Sequence, residues 1–397
     1  MSADATATRG LVGLLDPRRY GLRHQVGAVG LVLLALAPYL VPTVWVRNLT
    51  IALFFAMFAM SWDVVSGYTG QISFGHAFFF AIGGYSSALL NLELGLPPVV
   101  TVPVAVVVTV VAGLLVGVPA LRLRGPYFSL VTLVAPTILL NVFILFSDTF
   151  GGELGLDSPA PILSFDDLAV TLVANYYLAF ALFVGILAVL LAVTRSDAGA
   201  VFTAIREDED AVAASGLNPA KFKVFAFALS AAVGGLAGAV FVHTPIGNPN
   251  PSQLLALTVS IEVIIAAILG GMGTIVGAAV AGIFLRLFQL YLGTVEYVVP
   301  VLDTAVADVD LLLFSLVTLV LLFALPGGIV RWAVHGGGAA LDNIRGRDAA
   351  TDGGRDPPDR DALAAVRESW REDVAAMQAH VPRTEPGGDG PAGGDHR

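Results

Sequence analysis

The sequence predicts an all-α fold, a polytopic bundle of membrane-spanning helices. The chain of 397 residues is 56% hydrophobic and only 13% charged, and its mean hydropathy is +0.81. Apolar stretches of about 20 residues, the length that crosses a bilayer as a helix, follow one another from residue 26 to residue 331. Because lipid offers no partners to exposed backbone groups and these stretches lack a period-2 alternation, helices are favoured over a β-barrel.

Hydropathy predicts about ten spans. The stretches 256–270 and 275–292 are rich in glycine and also fit one broken or re-entrant segment, so a count of eight or nine spans remains open. The predicted spans are 27–45, 49–66, 73–93, 98–120, 127–146, 175–194, 223–242, 256–270, 275–292 and 309–326.

Basic residues near the span ends predict the orientation in the cell membrane. One side carries nearly all of them and the other carries Arg47, and the side rich in basic residues is cytoplasmic in most membrane proteins. Both termini are then cytoplasmic. The residues on the predicted cytoplasmic side are Arg18, Arg19, Arg23, Arg122, Arg124, Arg195, Arg206, Lys221, Lys223 and Arg331.

Three regions follow from this pattern. Residues 1–26 form a cytoplasmic N-terminal segment without a cleavage-site signature, and residues 27–331 form the transmembrane domain. Residues 332–397 are rich in glycine, aspartate and arginine, which predicts a largely disordered, acidic cytoplasmic tail. Within it, apolar residues at helical spacing mark a candidate helix at 361–380.

Composition excludes several kinds of site. With no cysteine, the chain forms no disulfide and no thiolate metal site, and no metal site is predicted. A net charge of −10 with only two lysines argues against nucleic-acid binding. Those lysines, Lys221 and Lys223, stand in no GxxxxGK[ST] phosphate loop, so we expect this chain to bind no cofactor and to leave any ATP hydrolysis to another subunit.

The charged segment 195–223 is far longer than a simple reversal between spans requires. Ser196 or Asp197 is suited to begin a helix, Gly216 to end it in a left-handed conformation, and Asn218 to cap the next helix. The pattern predicts helix, elbow, helix. Small apolar residues beside charges fit a docking surface, with a solvated acidic loop of a channel or carrier as the alternative. Ala204 and Ile205 belong to the small apolar faces, and the charged residues at the apex are Arg206, Glu207, Asp208, Glu209 and Asp210.

Polar residues between and within the spans are candidates for a translocation pathway, because such residues are costly in lipid. Gln71, Ser73 and His76 lie at a predicted glycine-rich reversal, and Glu262 lies in a span. The alternative for Ser73 is a helix cap, and that for His76 is a hydrogen bond to a nearby backbone carbonyl.

Three ionisable residues stand in or near predicted spans. Asp63 and Glu262 are placed near span ends, where we expect them to reach water, and Arg286 is deeper and suited to pair with one of them. Proton coupling through either carboxyl would indicate a secondary carrier, which remains open. The pairs Gly234/Gly238 and Gly273/Gly277 have the spacing that lets helices approach closely.

Several blocks in one order resemble the permease subunits of branched-chain amino-acid ABC importers of the LivM type. The blocks are Gly67-Tyr68-Thr69-Gly70-Gln71-Ile72-Ser73-Phe74-Gly75-His76-Ala77, Leu121-Arg122-Leu123-Arg124-Gly125-Pro126-Tyr127, Ala204-Ile205-Arg206-Glu207-Asp208-Glu209, Ala213-Ala214-Ser215-Gly216-Leu217-Asn218, Lys221-Phe222-Lys223-Val224-Phe225-Ala226-Phe227, Ser260-Ile261-Glu262 and Leu269-Gly270-Gly271-Met272-Gly273-Thr274-Ile275-Val276-Gly277. The resemblance covers most of residues 49–331.

The resemblance implies a non-enzymatic subunit that passes branched-chain or related amino acids into the cytoplasm while partner subunits use ATP. In that family the loop matching 195–223 docks on the ATPase. The implied partners are a second permease subunit, two ATPase subunits, an extracytoplasmic solute-binding protein and membrane lipid. An ABC permease for urea or short amides resembles the same pattern and remains an alternative.

Overall fold

The computed structural model describes residues 22–123, 125–299, 304–324 and residue 328. The predicted N-terminal segment to residue 21, the tail 332–397 and its candidate helix 361–380 lie outside the described residues.

The described chain is a bundle of apolar helices, as the hydropathy predicts. The helices are α1 (Leu22–Leu40), α2 (Thr43–Trp62, continued by a π-helical turn Asp63–Gly67), α3 (Ala77–Leu94), α4 (Pro98–Ala120), α5 (Pro126–Leu145), α6 (Ser147–Phe150), α7 (Leu168–Thr194), α8 (Asp197–Glu207), α9 (Glu209–Ala214), α10 (Pro219–Phe241), α11 (Pro251–Leu254), α12 (Leu257–Gly270), α13 (Ile275–Leu292) and α14 (Asp310–Ala324). A 3₁₀ turn, Val306–Val309, precedes α14.

A small hairpin is the only β-structure among the described residues. Strands β1 (Val298–Val299) and β2 (Thr304–Ala305) pair antiparallel. Val298 lies opposite Ala305, and Val299 lies opposite Thr304. The fold class is therefore all-α, as predicted.

Nine helical segments of the described chain are long and apolar enough to cross a membrane, and Gly27–Leu40 is a shorter apolar helix. This is consistent with the predicted eight to ten spans. Sequences 257–270 and 275–292 form two separate helices, and the break in this part of the chain falls earlier, between α11 and α12.

Three predicted span boundaries are wrong for physical reasons. The gap predicted between residues 45 and 49 falls earlier, because α1 ends at Leu40 and Pro42 stands at the N-cap of α2, which begins at Thr43. The span predicted at 73–93 begins at Ala77, because the glycine-rich residues before it are held in irregular backbone by side chains of other helices. The span predicted at 175–194 begins at Leu168. There the Asp167 carboxylate accepts a hydrogen bond from the Ala169 amide at 2.7 Å and caps the helix two turns earlier.

Helix α2 is the centre of the bundle. In the span Thr43–Gly67, 89% of the most apolar 18-residue stretch is buried. Helices α7, α10, α12 and α13 pack around this span. Helix α10 packs on α3 and α4. A Cβ atom added to Gly238 would lie 2.0 Å from the Phe80 carbonyl oxygen, so the α3 and α10 backbones are in direct contact. The predicted partner, Gly234, faces the Phe79 side chain instead.

The prediction that the Asp63 and Glu262 carboxyl groups reach water is wrong. Asp63 is fully buried and Glu262 is 9% exposed. Arg286 pairs with Glu262 at 3.4 Å, and Gln289 donates to the other oxygen of the Glu262 carboxylate at 3.0 Å. The ion pair is partly buried, with 28% of the Arg286 side chain and 12% of the Glu262 side chain exposed, and the third hydrogen-bonding group helps to satisfy a charge that would be costly alone.

Candidate coupling surface and translocation cavity

Segment 195–223, which the sequence predicts to be cytoplasmic, forms two short helices rather than one before the elbow. Helix α8 begins after Ser196, whose hydroxyl donates to the Val193 carbonyl at 2.7 Å and does not cap α8. Helix α9 begins after Asp208, whose carboxylate accepts from the Ala211 amide at 2.9 Å. Asp208 is therefore an N-cap, a role that the sequence interpretation missed by treating it only as a surface charge.

The predicted elbow is confirmed. Gly216 has a φ of +88° and follows α9, in the left-handed region that favours glycine. The Asn218 side chain then accepts from the Lys221 amide at 3.4 Å, at the start of α10. The elbow turns the chain from α9 back into the bundle.

Helices α8 and α9 have one buried and one exposed face. Phe202, Ile205 and Val212 are buried against the bundle. The exposed face carries small apolar side chains beside carboxylates, which fits a groove on another protein better than it fits lipid. We call it the coupling surface, and its residues are Ala204, Glu207, Asp208, Ala211, Ala213, Ala214 and Leu217.

Arg206 points from α8 into the bundle. Its Nη1 atom donates to the Gly67 carbonyl at 2.9 Å, and its Nη2 atom donates to Glu207 at 2.8 Å. The glycines around it leave the room that it needs. A Cβ atom at Gly273 would lie 2.7 Å from Nη1, and one at Gly70 would lie 3.0 Å from the Arg206 Cγ atom.

Asp63 ties the same place to the loop between α12 and α13. Its Oδ1 atom accepts from the Gly273 amide at 2.8 Å. A Cβ atom at Gly67 would overlap this carboxylate at 1.9 Å. Asp63, Gly67, Arg206 and Gly273 therefore form one contact cluster, which joins α8 to the ends of α2 and α12. It lies on the side that the sequence predicts to be cytoplasmic, and we call it the cytoplasmic junction.

A second ion pair fixes α9. The Lys223 Nζ atom donates to Glu209 at 2.7 Å and to the Leu121 carbonyl at 3.4 Å. The Lys223 side chain is 5% exposed and that of Glu209 is 32% exposed. Sequence reasoning missed this pair because its partners are 14 residues apart on two helices, a separation that no periodicity predicts.

Between α2 and α3 the chain is irregular over residues 70–76, which we call the inner break. Hydroxyl and indole groups satisfy its backbone. Ser66 donates to the Gln71 carbonyl at 3.0 Å and accepts from the Ser73 amide at 3.1 Å. The Trp62 indole donates to the Ser73 carbonyl at 2.7 Å. These bonds come from the end of α2 itself.

Helices α5 and α12 supply the remaining bonds to the inner break. Ser129 donates to the Ile72 carbonyl at 2.6 Å, and Thr132 accepts from the Phe74 amide at 3.1 Å. Ser260 accepts from the amide of Ala77, the first residue of α3, at 3.2 Å. A Cβ atom at Gly75 would lie 1.9 Å from the Thr132 carbonyl oxygen. Specific hydrogen bonds and close backbone contacts from α5 and α12 therefore hold the inner break in its irregular conformation.

A cavity of about 690 Å³ lies against the inner break. Its wall is mainly apolar, with the Gln71 amide and the Ser129 hydroxyl as its polar side chains. The lining residues are Gly70, Gln71, Ile72, Phe74, Gly125, Pro126, Ser129, Leu130, Leu133, Leu257 and Ile261.

The four predicted pathway residues lie in different places. Gln71 lines the cavity. Ser73 and His76 are 2% and 0% exposed and lie behind it, and Glu262 is held by Arg286. Ser73 is not a helix cap, since its hydroxyl accepts only from the nearby Gly75 amide, at 3.4 Å.

His76 makes a side-chain contact instead of the expected bond to a carbonyl. Its Nε2 atom lies 2.6 Å from the Ser61 hydroxyl and 3.3 Å from the Ser230 hydroxyl. Ser230 also donates to the Ser61 carbonyl at 2.6 Å. His76 thus links the start of α3 to α2 and α10.

A second irregular segment, residues 242–250, follows α10, and we call it the outer break. Residues 151–167, the outer strap, cover it. The His243 Nδ1 atom lies 2.7 Å from the Ala160 carbonyl oxygen, and its Nε2 atom lies 2.8 Å from the Ser87 hydroxyl. Burial lowers the pKa of His243, which favours the neutral ring that donates to Ala160 and accepts from Ser87.

Backbone groups extend the contact between strap and break. The Ile162 amide donates to the His243 carbonyl and the Leu156 amide donates to the Pro249 carbonyl, both at 3.0 Å. The Asn250 side chain donates to the Leu154 carbonyl at 3.1 Å and to the Glu153 carbonyl at 3.2 Å. The strap closes the outer break along most of its length.

Comparison with known proteins agrees with this architecture. Residues 45–325 match the protein family described as branched-chain amino acid transport system / permease component. The high-affinity branched-chain amino acid transport system permease protein LivM of Escherichia coli is 31% identical over 288 residues, which are 66% of this chain and 67% of the relative. The corresponding protein BraD of Pseudomonas aeruginosa is 27% identical over 304 residues, 72% of this chain and 94% of the relative.

A more distant relative is the ribose import permease protein RbsC of Haemophilus influenzae. It is 25% identical over 215 residues, which are 50% of this chain and 63% of the relative. The family match spans the described bundle from α2 to α14, including the coupling surface and both breaks. The chain therefore belongs to the permease components of branched-chain amino acid ABC transport systems and is a multi-pass membrane protein.

Proposed function

We propose that this chain is the permease subunit of an ATP-driven importer that carries branched-chain or related amino acids into the cytoplasm. The cytoplasmic junction is the observation that carries the proposal. Through Arg206, a surface suited to a cytoplasmic partner is bonded directly to the end of the central helix α2. The inward direction is supported by the name of one relative, an import permease for ribose.

The assembly follows from the two ends of the bundle. Two ATPase subunits dock on the coupling surfaces of this chain and of a second permease subunit, and a solute-binding protein docks on the outer side. Both termini lie in the cytoplasm, which places segment 195–223 there too. This chain performs no covalent chemistry and binds no cofactor of its own, because ATP is used by the ATPases.

The junction explains how ATP binding reaches the spans. Closure of the ATPases displaces α8, and the hydrogen bond from Arg206 passes that displacement to Gly67. Gly67 ends α2 and leads into the inner break, while Asp63 holds Gly273 in the loop before α13. Movement of α8 would therefore act on the end of α2, on the inner break before α3 and on the loop between α12 and α13. Such a concerted movement is suited to changing the side from which the cavity is accessible.

Uptake into proteoliposomes tests the proposal. The chain is reconstituted with its candidate partners, and uptake of labelled leucine is measured with ATP or with a proton gradient as the energy source. Uptake that needs both ATP and the ATPases is expected. Uptake by this chain alone under a gradient would show a secondary carrier, and ATP-driven uptake of urea without leucine would show an amide permease.

A further inference from the structure

The Asp63 side chain keeps one oxygen of its carboxylate unpartnered inside the bundle. It is fully buried, and its Oδ1 atom accepts from the Gly273 amide at 2.8 Å. The Thr274 amide also faces the carboxylate, but among the described residues Oδ2 has no hydrogen-bond partner. A buried carboxylate without partners is costly, and an opposite charge compensates it best. Arg206 is the cation whose charge acts on this carboxylate.

The Arg206 guanidinium is bonded to a different carboxylate, which lies in solvent. Its Nε and Nη2 atoms donate to the same oxygen of Glu207, at 3.1 Å and 2.8 Å. The Glu207 side chain is 69% exposed and that of Arg206 is 33% exposed. An exposed ion pair contributes little to stability, because water and salt screen both charges. The bond between Arg206 and Glu207 can therefore be exchanged for another at little cost.

Two glycines bring the guanidinium and the Asp63 carboxylate to the same place. The Arg206 Nη1 atom donates to the Gly67 carbonyl at 2.9 Å, and a Cβ atom at Gly273 would lie 2.7 Å from it. The Asp63 Oδ1 atom is bonded to Gly273 and would lie 1.9 Å from a Cβ atom at Gly67. Both ionic groups thus contact the same two glycines, and a larger side chain at either position would displace one of them.

From this arrangement we infer that Arg206 is a switching residue with two carboxylate partners, Glu207 in the present conformation and Asp63 after the ATPases have closed. A cation of the docked ATPase pairs with the exposed Glu207 and releases the Nε and Nη2 atoms of Arg206. These atoms then donate to the Oδ2 atom of Asp63. The inference rests on the proposed function and adds how the cytoplasmic junction is regulated.

The exchange gives the junction two discrete arrangements. It needs a rotation of the Arg206 side chain about its own bonds, past Gly67 and Gly273, which have no side chains to obstruct it. In the second arrangement a buried ion pair joins α8 to the π-helical turn that contains Asp63 and, through Gly273, to the loop before α13. An element with two arrangements, each favoured by a different state of the partner, is what couples distant sites.

Zero-length cross-linking distinguishes the two partners of residue 206. Arg206→Lys supplies an amine at this position in the assembled transporter, and a membrane-permeant carbodiimide joins an amine to a carboxylate that it contacts. Cross-linked peptides are measured by mass spectrometry, without nucleotide and with ATP trapped by vanadate. The native pair of Lys223 and Glu209, whose atoms lie 2.7 Å apart, is the reference and should cross-link in both states.

We expect the amine at position 206 to be linked to Glu207 without nucleotide and to Asp63 in the trapped state. The second link should be absent when Asp63→Asn is added. A link to Glu207 alone in both states, or a link to Asp63 of equal yield in both states, would overturn the exchange.

A double-mutant cycle tests the same pair without a cross-linker. Asp63→Asn keeps the shape of the side chain and an acceptor for the Gly273 amide, but it forms no ion pair. It should lower the amount of leucine imported per ATP about tenfold, as Arg206→Gln should, because a charged partner is lost. The double variant should be no worse than either single variant, since both remove one interaction. A double variant about a hundredfold below the wild type, or a wild-type ratio in Asp63→Asn, would contradict the pair.

The outcomes separate this inference from the proposed function. ATP-driven leucine uptake, with residue 206 linked to Glu207 alone, would remove the exchange and leave the importer intact. An ATP-dependent shift of the link to Asp63, without leucine uptake, would keep the exchange and overturn the importer.

Discussion

The inner break and the outer break contain similar side-chain pairs but are held by different parts of the molecule. Each interrupts the path between spans, and each has a buried histidine beside a serine, His76 with Ser61 and His243 with Ser87. The inner break is held by side chains of spans and leaves Gln71 on a cavity. The outer break is held largely by a loop, the outer strap.

The two breaks are attached to different surfaces of the bundle. The inner break follows the π-helical turn that ends at Gly67, and Arg206 of α8 donates a hydrogen bond to the Gly67 carbonyl. The outer break is held by Ala160 and neighbouring strap residues, on the side where a solute-binding protein would dock. In the proposed function, one break is thus attached to the surface where the ATPases dock and the other to the opposite surface, an arrangement suited to alternating access of one cavity.

The largest expected effect is at Gly75. Gly75→Ala places a methyl group 1.9 Å from the Thr132 carbonyl oxygen, so the inner break must separate from α5. We expect a loss of about 3 kcal/mol of stability, at the upper end of the range for overpacking. Thermal unfolding of the purified transporter measures it. Gly185→Ala is the matched control, because nothing lies within 4 Å of a Cβ atom there, and an equal loss in both variants would refute the clamp.

A smaller effect is expected at Asn250. Asn250→Ala removes two hydrogen bonds to the strap carbonyls of Glu153 and Leu154. At roughly 1 kcal/mol each, this should increase local opening of the strap by about tenfold or more. Hydrogen exchange of residues 151–167 measures the change. Asn141→Ala, which loses one bond within α5, should leave strap exchange unchanged, and faster exchange at the inner break as well would show that the two breaks are not independent.

The smallest effect concerns pH on the outer side. Because burial lowers the pKa of His243, the folded strap favours the neutral ring. The stability that it contributes is fully present above the ordinary histidine pKa of 6.5 and is lost as pH falls toward the lower folded value. Relative to the intrinsic amide exchange rate, which itself slows as pH falls, strap exchange should therefore accelerate below about pH 6.5. His243→Gln should remove this dependence, and an unchanged profile in that variant would assign the acid effect to another group.

The sequence predicted features that depend on local pattern. The spans follow from hydropathy and the elbow follows from a single glycine, and the structure confirms the spans as a class and the left-handed Gly216. The orientation, which follows from basic residues, stays a prediction. The N-cap formed by Asp208 also depends on a local pattern, but Asp208 lies within the acidic run from Glu207 to Asp210 and was interpreted only as a surface charge. An aspartate three residues before Ala211 was the signal that was available.

Features that depend on distant pairs were not predictable. Ser129 bonds to Ile72 across 57 positions, and Ser260 bonds to Ala77 across 183 positions. No periodicity relates such residues, so hydropathy extended α3 through the inner break to residue 73. Arg206 was assigned to the partner surface for the same reason, because its bond to Gly67 spans 139 positions.

The most direct test of coupling is the amount of leucine imported per ATP hydrolysed by the assembled transporter. Arg206→Gln should lower this ratio about tenfold or more, since a charge-assisted hydrogen bond is lost, while the ATPase subunits remain bound. Lys221→Gln changes an exposed basic residue outside the junction and should keep the wild-type ratio. A wild-type ratio in Arg206→Gln would contradict the claim that the cytoplasmic junction transmits ATPase closure to the spans.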